Sequence, residues 1–159
     1  MVRGGLWRKF AAAESGLCNS PPFGRRKGRH KEAATPVLDD VIRRYIASYN
    51  DRDLEAMLAC VTDDVVFENI SNAGGSMRLD GKAMMRQVAE VSGNAFSYRR
   101  QRLINIVSGN GKAAAEIEFE GRASVDLPNG VRAGETVRVR GASFFEFRGP
   151  LLCRIADYS

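Results

Sequence analysis

The sequence predicts an α+β domain in which helices precede a curled antiparallel sheet, and three observations predict it. Apolar residues recur at helical spacing from Val37 to Tyr49, four long runs after Gly93 are β-patterned, and short turn signals separate those runs. Helices first and consecutive hairpins after favour a sheet that wraps the helices. The length of 159 residues and a hydrophobic content of 44% suit one domain with a buried core.

Val37, Leu38, Val41, Ile42, Tyr45, Ile46 and Tyr49 form one stripe, with Asp39, Asp40, Arg43 and Arg44 opposite, so the first helix is amphipathic. Asn50-Asp51-Arg52 breaks it, and Asp53 is placed to cap a second short helix carrying Leu54, Met57, Leu58 and Val61. So short a turn makes the two helices pack together. Val65-Val66-Phe67 is β-branched and aromatic and reads as a short strand after a Thr62-Asp63-Asp64 turn. Ile70 to Leu79, with Gly74-Gly75, reads as a mobile loop. Asp80 stands where an N-cap belongs, ahead of a third helix with Met84, Met85, Val88 and Val91 that stops at Ser92-Gly93.

The sheet is expected from Tyr98 to Val107, Lys112 to Val125, Glu135 to Arg148 and Leu151 to Tyr158, with turns at Gly109-Asn110-Gly111, Pro128-Asn129-Gly130 and Gly149-Pro150. Alternation turns Ala115, Ile117, Phe119 and Gly121 to one face and Glu116, Glu118, Glu120 and Arg122 to the other. In the next strand Ser143 and Phe145 share the apolar face, opposite Arg138 and Arg140. The acidic row can pair with those arginines across strands, on a solvated face or a subunit interface.

The net charge of +5 is unevenly placed. Residues 1–35 hold eight basic residues against Glu14 and Glu32, a net of +6, which leaves residues 36–159 at −1. Rich in Gly, Ala, Ser, Pro and Arg and without sustained periodicity, residues 1–35 read as a disordered basic leader. Three readings of it stay open: an organelle transit peptide, a phosphate-backbone contact through Gly24 to Lys31, or simply a solvated extension or a leader translated from a start codon placed too far upstream.

The single histidine, His30, lies in that leader. The remainder therefore has no Ser-His-Asp or Cys-His catalysis and no imidazole metal site. Its chemistry falls to carboxylates, tyrosines, amides, hydroxyls or arginine, with no metal and no cofactor implied. Cys18, Cys60 and Cys153 are odd in number and lack CxxC spacing, which suits reduced thiols in a cytoplasmic protein. No apolar run approaches the roughly 18 residues of a membrane span, so a membrane partner is not expected.

The order of elements, together with VIRRYIASYNDRDLEAMLACVTDDVVFEN (Val41 to Asn69), LDGKAMMRQV (Leu79 to Val88) and the terminal FFEF and CRIADYS segments, resembles the nuclear transport factor 2-like superfamily. That superfamily includes ketosteroid isomerases, SnoaL-like polyketide cyclases and limonene epoxide hydrolases. The resemblance covers about residues 37–158 and implies a cone: a curved antiparallel sheet packed against three N-terminal helices around an apolar pocket, with residues 36–159 as a SnoaL-like domain. It also implies a homodimer through the outer sheet face.

Ketosteroid isomerases pair a carboxylate base with an oxyanion hole of a tyrosine and a protonated aspartic acid. Those positions fall on Asn69, Tyr45 and Ser143. An amide cannot abstract the proton, so unchanged steroid isomerisation is not expected. Against limonene epoxide hydrolases, Asn69 matches a water-holding asparagine, Phe67 replaces a tyrosine, and Asp157 matches the late aspartate. The Arg-x-Asp pair of those enzymes lands reversed, on Glu120 and Arg122.

Two functional readings follow. In one the protein is an isomerase, cyclase or hydrolase acting by acid–base chemistry on a polycyclic or terpenoid-like substrate, with Asp157, Tyr45 and Asn69 catalytic and Ser143, Phe67, Met84 and Phe145 contacting the ligand. In the other it is a non-catalytic module that binds a small apolar organic ligand or dimerises. Each residue also has a structural alternative. Tyr45 is then a core tyrosine bonded to a backbone acceptor, Asn69 a turn former, and Asp157 an edge carboxylate paired with Arg154 or Arg100. Arg99, Arg100 and Arg102 read as a solvated edge; if Arg100 or Arg102 points inward, the ligand is anionic.

Overall fold

The computed structural model describes residues 35–71 and 75–159. The leader, Cys18 and His30, and with them every reading of the leader, lie outside the described residues. Three helices and six strands follow in the order α1 (Thr35–Asp51), α2 (Leu54–Leu58), β1 (Val61–Ile70), β2 (Ser76–Asp80), α3 (Lys82–Gly93), β3 (Phe96–Gly109), β4 (Lys112–Ala123), β5 (Thr136–Arg148) and β6 (Leu151–Tyr158). Among the described residues no helix is long and apolar enough to cross a membrane.

The strands form one open, curved sheet in the order β2-β1-β6-β5-β4-β3. Successive hairpins make β3 to β6 antiparallel, as the turn signals predict; at Asn110 and Gly111 both residues take positive φ, 51° and 72°. The sheet is nevertheless mixed, because β6 returns beside β1 and runs parallel to it. An all-antiparallel sheet is thus corrected at one pairing. Sequential hairpins fix every direction except that of the strand arriving from the helical half of the chain.

Along α1, Leu38, Val41, Ile42, Tyr45 and Ile46 are buried, and α1 packs across β3. Asp53 caps α2 as expected, its Oδ1 accepting the Ala56 amide at 2.9 Å. The core also takes in Cys60, Val65, Phe145, Leu152 and Ile155.

Three local expectations change. Thr62-Asp63-Asp64 is part of β1, not a turn: its acidic pair is held by Lys82 and Arg148, at 2.9 and 2.7 Å, while an irregularity between Val61 and Val66 absorbs the extra residues. Part of the expected mobile loop is β2, which pairs antiparallel with Val66 to Ile70. Asp80 does not cap α3. It ends β2 and bonds Arg78, while Gly81, at φ 89°, takes the cap position without a side-chain bond.

Candidate functional site

α1, α3 and the inner sheet face enclose a cavity of about 570 Å³, within the range of small-molecule sites. Helical spacing supplies two of its walls. Tyr45, Ser48 and Tyr49 project from one side of α1, and Met85, Val88, Ala89 and Ser92 from one side of α3. At the far end Phe96 and Phe119 meet edge to face, with ring centroids 5.4 Å apart. Most of the lining between is aliphatic or aromatic.

Strand register places the polar groups. Asn69 of β1 is paired with Asp157 of β6, and Asp157 with Ser143 of β5, so the three stand in one row across adjacent strands, and all three line the cavity. Ser143 donates its hydroxyl hydrogen to Asp157 Oδ1 at 2.6 Å. Burial pushes the Asp157 carboxyl above its ordinary 3.8, and the Ser143 hydrogen bond only partly opposes this. Among the described residues no arginine answers the carboxylate: Arg154 turns to the outer face and binds Glu68 and Glu146 instead.

Tyr45 is 7% exposed, and its hydroxyl makes no hydrogen bond to the described residues. Burial holds its pKa well above 10.0, and the nearby Asp157 charge adds to this, so it remains a neutral donor. The Asn69 amide likewise has no partner among the described residues. Tyr45 belongs both to the buried core cluster and to the cavity lining.

Phe67 lines the cavity two residues before Asn69, whereas two other expected contacts do not. Met84 is 49% exposed; Met85 faces inward in its place, because a helix begun from Gly81 turns the stripe by one residue, about 100°. Phe145 shares the inner face with Ser143 but is 2% exposed within the closed core and does not line the cavity. Of Arg99, Arg100 and Arg102 it is Arg99 that lines the cavity; Arg102 binds Glu118 on the outer face. Gln101 was also missed. It lies inward two residues from Arg99, its backbone clasped by Asn50 at 2.7 and 2.9 Å.

A curved sheet and three helices around a largely apolar cavity define a cone of the nuclear transport factor 2-like type. The family described as the SnoaL-like domain matches residues 42–155, and the chain belongs to it. No curated protein matches the chain. Among solved structures it is similar to a candidate polyketide cyclase of Pseudomonas putida KT2440, at 27% identity and TM-score 0.62 over 77% of this chain and 90% of that one. An LEH-like epoxide hydrolase of M. tuberculosis shares the fold at 15% identity and TM-score 0.62, over 78% and 82% of the two chains. So does a protein of ketosteroid isomerase-like fold from Catenulispora acidiphila DSM 44928, in complex with trimethylamine, at 12% identity and TM-score 0.61 over 76% and 85%.

Proposed function

We propose that the cavity binds a small, largely apolar organic molecule and that Asp157 exchanges a proton with it. One observation carries the reading: a carboxyl whose pKa is raised by burial sits in the cavity between Ser143 and Asn69, with no arginine among the described residues to hold it ionised. When protonated, Asp157 can give its proton to a carbonyl or epoxide oxygen. The carboxylate that remains keeps the Ser143 hydrogen bond and can take a proton from carbon or from water. In this reading the Tyr45 hydroxyl and the Asn69 amide, both lining the cavity, polarise the ligand oxygen. Isomerase, cyclase and hydrolase chemistry all use these steps, and the polyketide cyclase and epoxide hydrolase relatives lend support to that range.

Polycyclic enones and terpenoid epoxides, incubated with the protein in D₂O, test this by NMR, which reads both deuterium uptake and product. Turnover should fall roughly 10²- to 10⁴-fold in Asp157→Asn. Binding with no exchange, or exchange indifferent to Asp157→Asn, would leave the non-catalytic module as the reading. That rival has its own support, since the row holds a single carboxyl. A second copy of the chain against the outer sheet face belongs to the same proposal, supported by the edge-to-face pair of exposed Phe144 and Tyr158 there. Light scattering at several concentrations tests it.

A further inference from the structure

Arg99 differs from the other arginines of the sheet. On the outer face Arg102, Arg138, Arg140 and Arg154 each bind a glutamate. Arg99 lines the cavity and forms no ion pair among the described residues. Its guanidinium lies over the Tyr49 ring, 4.1 Å from the centroid, and a terminal N–H donates weakly to the Tyr49 carbonyl at 3.5 Å. Its Nε–H is buried and has no acceptor among the described residues. Arg52, also at the cavity, shows the contrast: it donates to the carbonyls of Gly93, Phe96 and Ser97, at 3.4, 2.6 and 3.1 Å.

The nearby carboxylates do not compensate Arg99. Asp53 caps α2, and Glu90 is exposed at the rim. Burial disfavours charge on Asp157, which makes no contact with Arg99. Arg99 is also held in place. The Asn50 side chain bonds the Gln101 backbone in both directions and so fixes β3 against the end of α1. A positioned guanidinium with a spare buried donor, inside an apolar cavity, is what binds a planar anion.

We propose that the ligand is an apolar acid whose carboxylate or enolate oxygen binds Arg99, while its reacting oxygen meets Asp157. The inference rests on the pocket reading and adds the ligand's charge and orientation. Register sets the two backbone positions apart: Arg99 pairs with Gly121 and Gly121 with Val137, whereas Asp157 pairs with Ser143. Val137 and Ser143 lie about 20 Å apart along an extended strand. The Arg99 side chain crosses part of that span to lie over Tyr49, so a ligand meeting both groups is shorter than the strand separation, with its acid at Arg99 and its reacting oxygen at Asp157.

Fluorescence titration of the full chain with anthracene-2-carboxylate and with its neutral methyl ester tests this. The wild type should bind the acid roughly 10- to 100-fold tighter than the ester. Arg99→Gln should abolish that preference and leave ester affinity in place, Arg99→Lys should keep part of it, and Asp157→Asn should not remove it. Equal binding of acid and ester by the wild type, or a preference that survives Arg99→Gln, overturns the anion site while the pocket reading stands. Binding of neither probe overturns both. If circular dichroism shows Arg99→Gln unfolded, the wild-type acid-to-ester ratio and Arg99→Lys decide.

Discussion

The two faces of the sheet use the same residue types to opposite ends. On the outer face Glu116, Glu118 and Glu120 of β4 meet Arg140, Arg102 and Arg138 from the flanking strands, and Glu68 meets Arg154 and Arg78. Every one of those charges is answered by another. On the inner face a carboxyl, a guanidinium, an amide and a phenol stand in an apolar cavity with their hydrogen bonding incomplete. Paired charge on a wet surface organises the fold. The polar groups inside the cavity have fewer partners than those outside it.

The largest expected effect comes from two neighbours on opposite faces. Phe145 is fully packed in the core, whereas Phe144 is 46% exposed against Tyr158. Phe145→Ala should lower stability by about 3–5 kcal/mol, and Phe144→Ala by less than about 1.5 kcal/mol, both read from urea unfolding. Similar losses at the two positions would mean that the outer face is also covered.

A smaller effect should follow Asp157 and pH. Its folded pKa lies above its unfolded value, so between the two the native state holds the extra proton, and stability falls as pH rises from about 3.8 through the folded pKa. Asp157→Asn should lose this slope. Compared with wild type it should be relatively more stable at pH 7 than at pH 3, in thermal melts at both. An unchanged slope would mean that the carboxyl is solvated and the inner row is not a site. A gain in stability from removing a proposed catalytic group is the expected mark of a site kept at some cost to the fold.

The same two faces separate what a sequence discloses from what it does not. Periodicity alone outlined α1, α2, the last four strands and the Glu–Arg ladder, because those depend on local repetition and on hairpin neighbours. The inner row was legible only as separate residues. Its assembly depends on β6 lying parallel to β1, a contact between the two ends of the domain that no local pattern encodes.

Arg99 was missed for a more local reason. An irregularity between Leu103 and Asn105 reverses the alternation within β3. Counting back from Ile104 and Ile106 turns Arg100 and Arg102 inward, while counting back from Leu103 gives Arg99. Both counts fit an apolar face, and only the bulge chooses between them. Met84 and Met85 exchange places likewise, because the start of a helix, set here by Gly81, fixes its phase.

The smallest effect belongs to the ladder. Arg138 and Glu120 lie 3.0 Å apart, with side chains 74% and 41% exposed. A pair so open to water gains little from its attraction and loses side-chain freedom to hold it. Arg138→Gln in an isolated chain should therefore move Tm by no more than about 2 °C. If a second copy covers this face, the same change removes one partner from a desolvated pair and leaves Glu120 unanswered, which costs far more. Tm would then fall further, and fall with dilution, as dissociation is linked to unfolding. Melts of the wild type and Arg138→Gln over a hundredfold range of protein concentration distinguish the two. A concentration-independent shift within 2 °C identifies the ladder as wet surface and sinks the outer-face dimer, while leaving the inner row and Arg99 untouched.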